Sequence, residues 1–243
     1  MLLSKETIEY LTRVIRVAKI LKIESVIIDK ESIRGQLQEE GSILLQKENL
    51  PNFEFQSIGI TRINTLITRI NLLGNDFDID AEEKDKNNNE KVIYKLKLFN
   101  NKTEVEFKCA DPALMPKTIK TLNDPVYYSF NINEESILLL SKIQSAVQGD
   151  ALTFIGKKND SGSSVVCKVN DVEGDMLNHI ISEELALTPE CDKNKFAFSY
   201  KNKVLIPLLK EALDDSEVTI LITRRGLLTM QIKGIKIFIS PEL

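Results

Sequence analysis

The sequence predicts an α+β protein in which one unit is written twice, each copy packing two helices on antiparallel sheet. Short alternating runs of apolar and polar residues, separated by Gly, Asn and Pro turns, mark antiparallel strands along the chain. Longer segments instead repeat apolar residues at helical spacing. The order helix, strands, helix, strands occurs once on each side of Lys108–Asp124, KCADPALMPKTIKTLND.

In the first half, Ser4 caps a helix from Lys5 to about Leu21, with Ile8, Leu11, Ile15 and Ala18 on its apolar face. Its polar face carries Lys5, Thr12, Arg13, Arg16 and Lys19, with Glu9 the one acidic residue among them. Strands are expected at Ser25–Asp29, Ser32–Gln38, Ser42–Lys47 and Phe53–Ser57. A second helix is expected between Gly59 and Gly74, where TRIN stands at 61–64 and again at 68–71. Ile63, Leu66, Ile67, Ile70 and Leu73 form its buried stripe; Arg62, Thr65 and Arg69 share the outer face. Strands resume at Asp76–Asp80, Lys91–Phe99 and Thr103–Cys109, with Glu82–Glu90 expected as a polar hairpin loop.

The middle stretch holds Pro112 and Pro116, with Pro125 just beyond it. Proline lacks a donor and keeps its predecessor out of the helical region, so this stretch is neither helix nor central strand. It nonetheless carries Leu114, Met115, Ile119 and Leu122, too apolar a set for a plain tether. It reads as an ordered connector on the surface, offering apolar side chains to a partner. The domains are then 1–109 and 126–243, with the connector at 110–125.

In the second half Val126–Ile132 reads as a strand, and Asn133 caps a helix over Glu134–Gln148. Strands follow at Ala151–Ile155, Ser163–Asn170, Met176–Leu187 and Phe196–Tyr200. A helix over about Lys203–Leu213 tolerates Pro207 only near its first turn. Strands at Glu217–Thr223, Leu227–Lys233 and Ile235–Ile239 complete the pattern. The two halves also align by residue. SKETIEYLTRVI (4–15) lies on NEESILLLSKIQ (133–144), setting Ser4 on Asn133, Leu11 on Leu140 and Arg13 on Lys142. ITRI (67–70) lies on LLKE (208–211), setting Arg69 on Lys210. A repeat of roughly 130 residues is too long for a solenoid unit and means two similar domains.

Composition narrows the function. The length of 243 residues suits two domains, and no apolar run approaches a bilayer span. Met1–Leu11 lacks a basic region feeding an apolar core, so no signal peptide is expected. Cys109, Cys167 and Cys191 are an odd set without CxxC spacing, which predicts neither a disulfide framework nor a zinc site but a reducing cytoplasm. His179 sits alone in an alternating strand run, and no P-loop, GxSxG or GxGxxG appears. Glu82–Asp85 and the NDSGSS turn read as solvated loops, so nothing here points to an enzyme or a cofactor.

Basic faces recur instead: Arg13 and Arg16, Arg62 and Arg69, Lys142, then Lys203 and Lys210, on helices at equivalent places. In a chain of net charge −4, such segregation points to a polyanion on that side. Aromatic residues do not interleave with these charges, which favours duplex phosphates over stacked single-stranded bases.

This pattern resembles the DNA polymerase sliding clamps, most closely the processivity factors of tailed phages and more distantly proliferating cell nuclear antigen. The resemblance is carried by MLLSKETIEYL at the start, ADPALMP at 110–116 and NDPVYYSFNINEESILLLSKI entering the second domain. It implies a homotrimeric ring of six domains that encircles double-stranded DNA without reading sequence and tethers the replicative DNA polymerase. It also implies a clamp loader ATPase as partner, no membrane, and the cytoplasm, that of a host cell if the chain is viral. The DNA-facing set is then Lys5, Arg13, Arg16, Lys19, Arg62, Arg69, Lys142, Lys203 and Lys210. Partners dock at Leu114, Met115 and Ile119, flanked by Ile237 and Ile239. Subunits join through a strand within Asp76–Cys109 and one between Met176 and Tyr200. The alternative is a duplicated α+β protein-interaction or phage structural protein that forms no ring.

Overall fold

The computed structural model describes residues 1–39, 41–85, 91–120, 122–147, 149–160, 162–170, 176–189, 191, 195–213 and 217–242. The chain divides into two compact units, Met1–Thr121 and Leu122–Leu243.

The first unit begins with α1 (Lys5–Ile20), whose Ser4 cap accepts a hydrogen bond from the Thr7 amide at 3.3 Å. That bond satisfies one of the donors a helix start leaves orphaned. Its core face buries Ile8, Leu11, Val14, Ile15 and Ala18. Then come β1 (Ser25–Asp29), β2 (Ile33–Leu37), β3 (Ser42–Gln46) and β4 (Ser57–Thr61). α2 (Ile63–Leu73) packs on α1, followed by β5 (Asp78–Asp85), β6 (Lys91–Phe99) and β7 (Glu104–Lys108). Within the unit the strand order is β3-β2-β1-β4-β6-β5, with β7 also on β6. Pairing is antiparallel except for a short parallel contact of β4 with β6 at Ile58 and Ile93.

The second unit runs β8 (Val126–Asn133), α3 (Glu134–Ala146), β9 (Ala151–Asn159), β10 (Gly162–Asn170), β11 (Met176–Ser182) and β12 (Ala186–Leu187). It continues with β13 (Lys195–Lys201), α4 (Asn202–Glu211), β14 (Glu217–Thr223), β15 (Leu228–Ile232) and β16 (Ile235–Ile239). Strands β12-β8-β14-β15-β16 form one sheet portion and β11-β10-β9-β13 a second sheet. Aromatic rings tie the two together: Phe130 of β8 meets Phe154 of β9 edge-on at 5.5 Å, and Tyr128 of β8 meets Phe196 of β13 at 4.5 Å. The buried Tyr200 hydroxyl finds a partner by donating to the Gly226 carbonyl at 2.7 Å.

Several boundaries differ from the sequence expectation. Residues 53–56 form no strand. Ser57–Thr61 does, because Ile58 and Ile60 alternate with period two and β4 pairs with β1 along its whole length. The first TRIN therefore straddles a strand end and a helix start, and Arg62 bridges them with a left-handed φ of 54°. β5 extends through Asp85, where a loop is expected from composition. Ile79 and Ala81 point inward, while Glu82 is held by the Lys95 ammonium, the Tyr94 hydroxyl and Lys97 on the neighbouring strand. The hydrogen bond from Lys95 leads the effects that bring the Glu82 carboxyl down to about 2. Cross-strand charge pairing thus makes a polar segment a strand.

The run Met176–Leu187 is two strands. Ser182 turns the chain by bonding its hydroxyl to the Glu184 backbone, and β12 pairs with β8 while β11 pairs with β10. Pro207 is the sixth residue of α4, so the helix forgoes the bond that its amide would make to the Lys203 carbonyl. The rest of the expected loop, 86–90, and the helix end at Gln148 lie outside the described residues.

Candidate nucleic-acid and partner-binding surfaces

The basic residues of the helices fall into three situations. Arg16 and Lys19 stand exposed on α1, with Arg13 half-buried beside them. None of the three has a carboxylate within 4.0 Å among the described residues. The apolar face of α1 is fixed in the core, so these side chains are held outward by the same periodicity that buries Leu11 and Val14. In the second unit Lys142 of α3 and Lys210, in the last turn of α4, are exposed in the same way.

Lys5 and Lys203 each have a carboxylate within reach. Lys5 lies 3.1 Å from both Asp76 and Asp78 and donates to the Phe77 carbonyl at 3.0 Å. The hydrogen bonds to Asp78 and then Asp76 raise its ammonium above the ordinary lysine range. Lys203 stands 3.8 Å from Asp150.

Arg62 and Arg69 form the third case. Both guanidinium groups lie over the ring of Phe107, at 4.9 and 5.7 Å from its centroid. Arg62 donates to the Lys108 carbonyl at 3.0 Å and Arg69 to the Glu106 carbonyl at 2.6 Å. The sequence places both on the outer face of a helix; the structure leans them onto β7. Phe107 is fully buried and is the platform that sequence reading missed, its one signal being inward alternation within EVEFK.

The connector is held to its unit at two points and braced by one hydrogen bond of its own. The Ala110 amide donates to the Gly59 carbonyl at 2.8 Å, Asp111 accepts from the Ala113 amide at 2.9 Å, and the Ile119 amide donates to the Gln36 side chain at 3.2 Å. A Cβ at Gly59 would overlap the Met115 sulfur and stand 2.6 Å from the Ala110 carbonyl oxygen. Met115 is therefore half-buried against its own unit, as is Ile119, whereas Leu114 is 86% exposed. Ile237 and Ile239, expected to flank the docking site, are core residues of β16 at 0% and 3% exposure. Apolar alternation in IKIFI puts them inward, which leaves Leu114 as the outward apolar group of the set.

Among the described residues no cluster of His, Cys, Asp and Glu is arranged to hold a metal ion, and no helix is long and apolar enough to cross a membrane. Burial pushes the thiols of Cys109 and Cys167 up to about 12, which leaves them inert at neutral pH.

No protein-family model matches the sequence, and no curated protein matches it in sequence. Solved structures do match its fold. The proliferating cellular nuclear antigen of Entamoeba histolytica superposes with a TM-score of 0.64 at 17% identity, covering 96% of both chains. That of Thermococcus kodakaraensis gives 0.65 at 14% identity, again over 96% of each. The A. fulgidus protein, solved with the C-terminal region of FEN-1 bound, gives 0.63 at 13% identity over 97% of this chain and 96% of that one. The chain therefore has the fold of the proliferating cell nuclear antigen clamps, two α+β units with helices packed on largely antiparallel sheet.

Proposed function

We propose that the chain is a sliding clamp, a homotrimer that encircles duplex DNA and tethers the replicative polymerase. The observation that carries this is the outward basic set Arg16, Lys19, Lys142 and Lys210, without a carboxylate within 4.0 Å among the described residues, placed on helices of both units in a chain of net charge −4. A clamp fold spanning 96% of the chain supports it. Point charges on helices reach phosphates and read no bases, so retention is independent of sequence. Partners meet the connector at Leu114, with Met115 and Ile119 shaping the segment beneath it. A relative of the same fold carries a peptide from FEN-1.

Subunits join head to tail by strand addition, because a two-unit chain has two unlike edges. In the first unit the outer edge of β5 is already occupied: Ala81 donates to the Met1 carbonyl at 2.8 Å and Leu3 to that of Ile79 at 2.9 Å. We take β7 as the joining strand of the first unit, and β11, which ends its sheet, as the counterpart in the second. A clamp loader ATPase opens the ring.

The test is topological. Protein loaded on a nicked circular duplex by a cognate loader and ATP should stay bound through gel filtration at high salt, and should be lost once the circle is cut. Equal retention on circular and linear DNA would overturn encirclement.

A further inference from the structure

Among the described residues β7 has a strand neighbour, β6, along one edge only. The Cys109 amide reaches the Tyr94 carbonyl at 2.8 Å. By antiparallel alternation the peptide groups of Val105, Phe107 and Cys109 face β6, and those of Glu104, Glu106 and Lys108 face away. Outward carbonyls on an edge strand are a template for pairing with another chain. Two of the three on this strand are taken here, Glu106 by Arg69 and Lys108 by Arg62, from the two ends of a guanidinium pair seated on Phe107. Neither guanidinium has a carboxylate within 4.0 Å among the described residues, so both charges remain available to a stronger acceptor.

We propose that Arg62 and Arg69 are a catch on β7: seated on its carbonyls they close the strand edge, and drawn onto phosphate they open it to a second copy of the chain. This rests on the reading above, in which the chain encircles duplex DNA and subunits join by strand addition; it adds Arg62 and Arg69 to the side chains that meet phosphate. Guanidinium binds phosphate through paired, charge-assisted hydrogen bonds that a neutral carbonyl cannot match. The second copy supplies the occupant, since β11 has seven residues and, among the described residues, β10 as its one strand neighbour. Because the same two side chains serve both contacts, duplex binding and strand addition promote each other.

Sedimentation equilibrium of the full chain, with and without a short DNA duplex, tests this. The duplex should move the wild-type assembly midpoint to lower protein concentration. Arg62→Gln with Arg69→Gln should lower that midpoint by about tenfold without duplex, the scale of one charge-assisted hydrogen bond released. It should also abolish the response to duplex. Adding Glu106→Pro removes an amide that faces away from β6, so it should cancel the gain while leaving the fold intact. A folded double variant with an unchanged or higher midpoint would overturn the catch, as would a gain that survives Glu106→Pro. Should the double variant not fold, the wild type decides: no duplex effect on its midpoint, with duplex bound, overturns the proposal. A wild type that binds no duplex while the double variant assembles more readily supports the closed edge and overturns only the DNA reading.

Discussion

The sulfur of Met115 rests on Gly59, where even a single added methyl group would overlap it. A strand glycine and a connector methionine, far apart in sequence, thus fix where the connector lies, and the Ala110–Gly59 hydrogen bond at 2.8 Å locks the same point. Gly59→Ala should lift the connector and cost about 1–3 kcal/mol, the usual penalty for overpacking. Urea unfolding measures the loss, and limited proteolysis between Ala110 and Lys120 should accelerate in the variant. An unchanged midpoint with unchanged cleavage would show that the connector is not seated there.

The charges on α1 separate by their partners. Arg16→Ala with Lys19→Ala removes two uncompensated cations and should lower the salt slope of DNA retention by roughly one unit for each phosphate no longer neutralised. Lys5→Ala should leave that slope unchanged, because Asp76 and Asp78 already hold its ammonium. Filter binding across a salt series distinguishes them. A Lys5 effect as large as the Arg16–Lys19 effect would contradict the assignment.

How much of this was legible in the sequence follows from what each residue answers to. The caps Ser4 and Asn133, the buried stripe of α1 and the strands β1, β3 and β6 obey local rules of spacing and capping, and they stand where the pattern puts them. What was not legible depends on a neighbour distant in sequence. β5 is a strand because Lys95 and Lys97 neutralise Glu82. Arg62 and Arg69 leave the outer helical face because Phe107 offers a ring and β7 offers carbonyls. Ile237 and Ile239, carried to the docking site by resemblance, obey their own alternation and go inward.

That contrast gives a paired test of the docking surface. Leu114→Asp should leave stability within about 0.5 kcal/mol, as exposed substitutions do, yet remove polymerase stimulation or peptide capture. Truncating such an anchor typically costs about 2 kcal/mol or more of binding. Ile237→Asp should instead unfold the second unit, since it buries a carboxylate in the core. Circular dichroism and peptide titration read the two separately. Full binding by Leu114→Asp would move the site elsewhere.

Alkaline stability has a sign fixed by burial. Desolvation pushes the Tyr10 hydroxyl and the Cys167 thiol up to about 12, from ordinary values of about 10 and 8.5. Their folded forms hold protons that the unfolded chain gives up, so the stability they contribute is complete below about pH 8.5 and is lost as pH rises towards 12. Denaturant midpoints should be flat through neutrality and fall above that point. Cys167→Ala should soften the first part of the fall, and a midpoint that rises with pH in this window would contradict the assignment.

The ring itself is most directly tested by mass. Native mass spectrometry at micromolar concentration should show a single assembly of three 27.5 kDa chains. Proline placed at alternate positions of β11, Met176–Ser182, should convert it to folded monomers by removing ladder donors. A wild type that is monomeric at every accessible concentration, with or without duplex DNA, would contradict the closed ring.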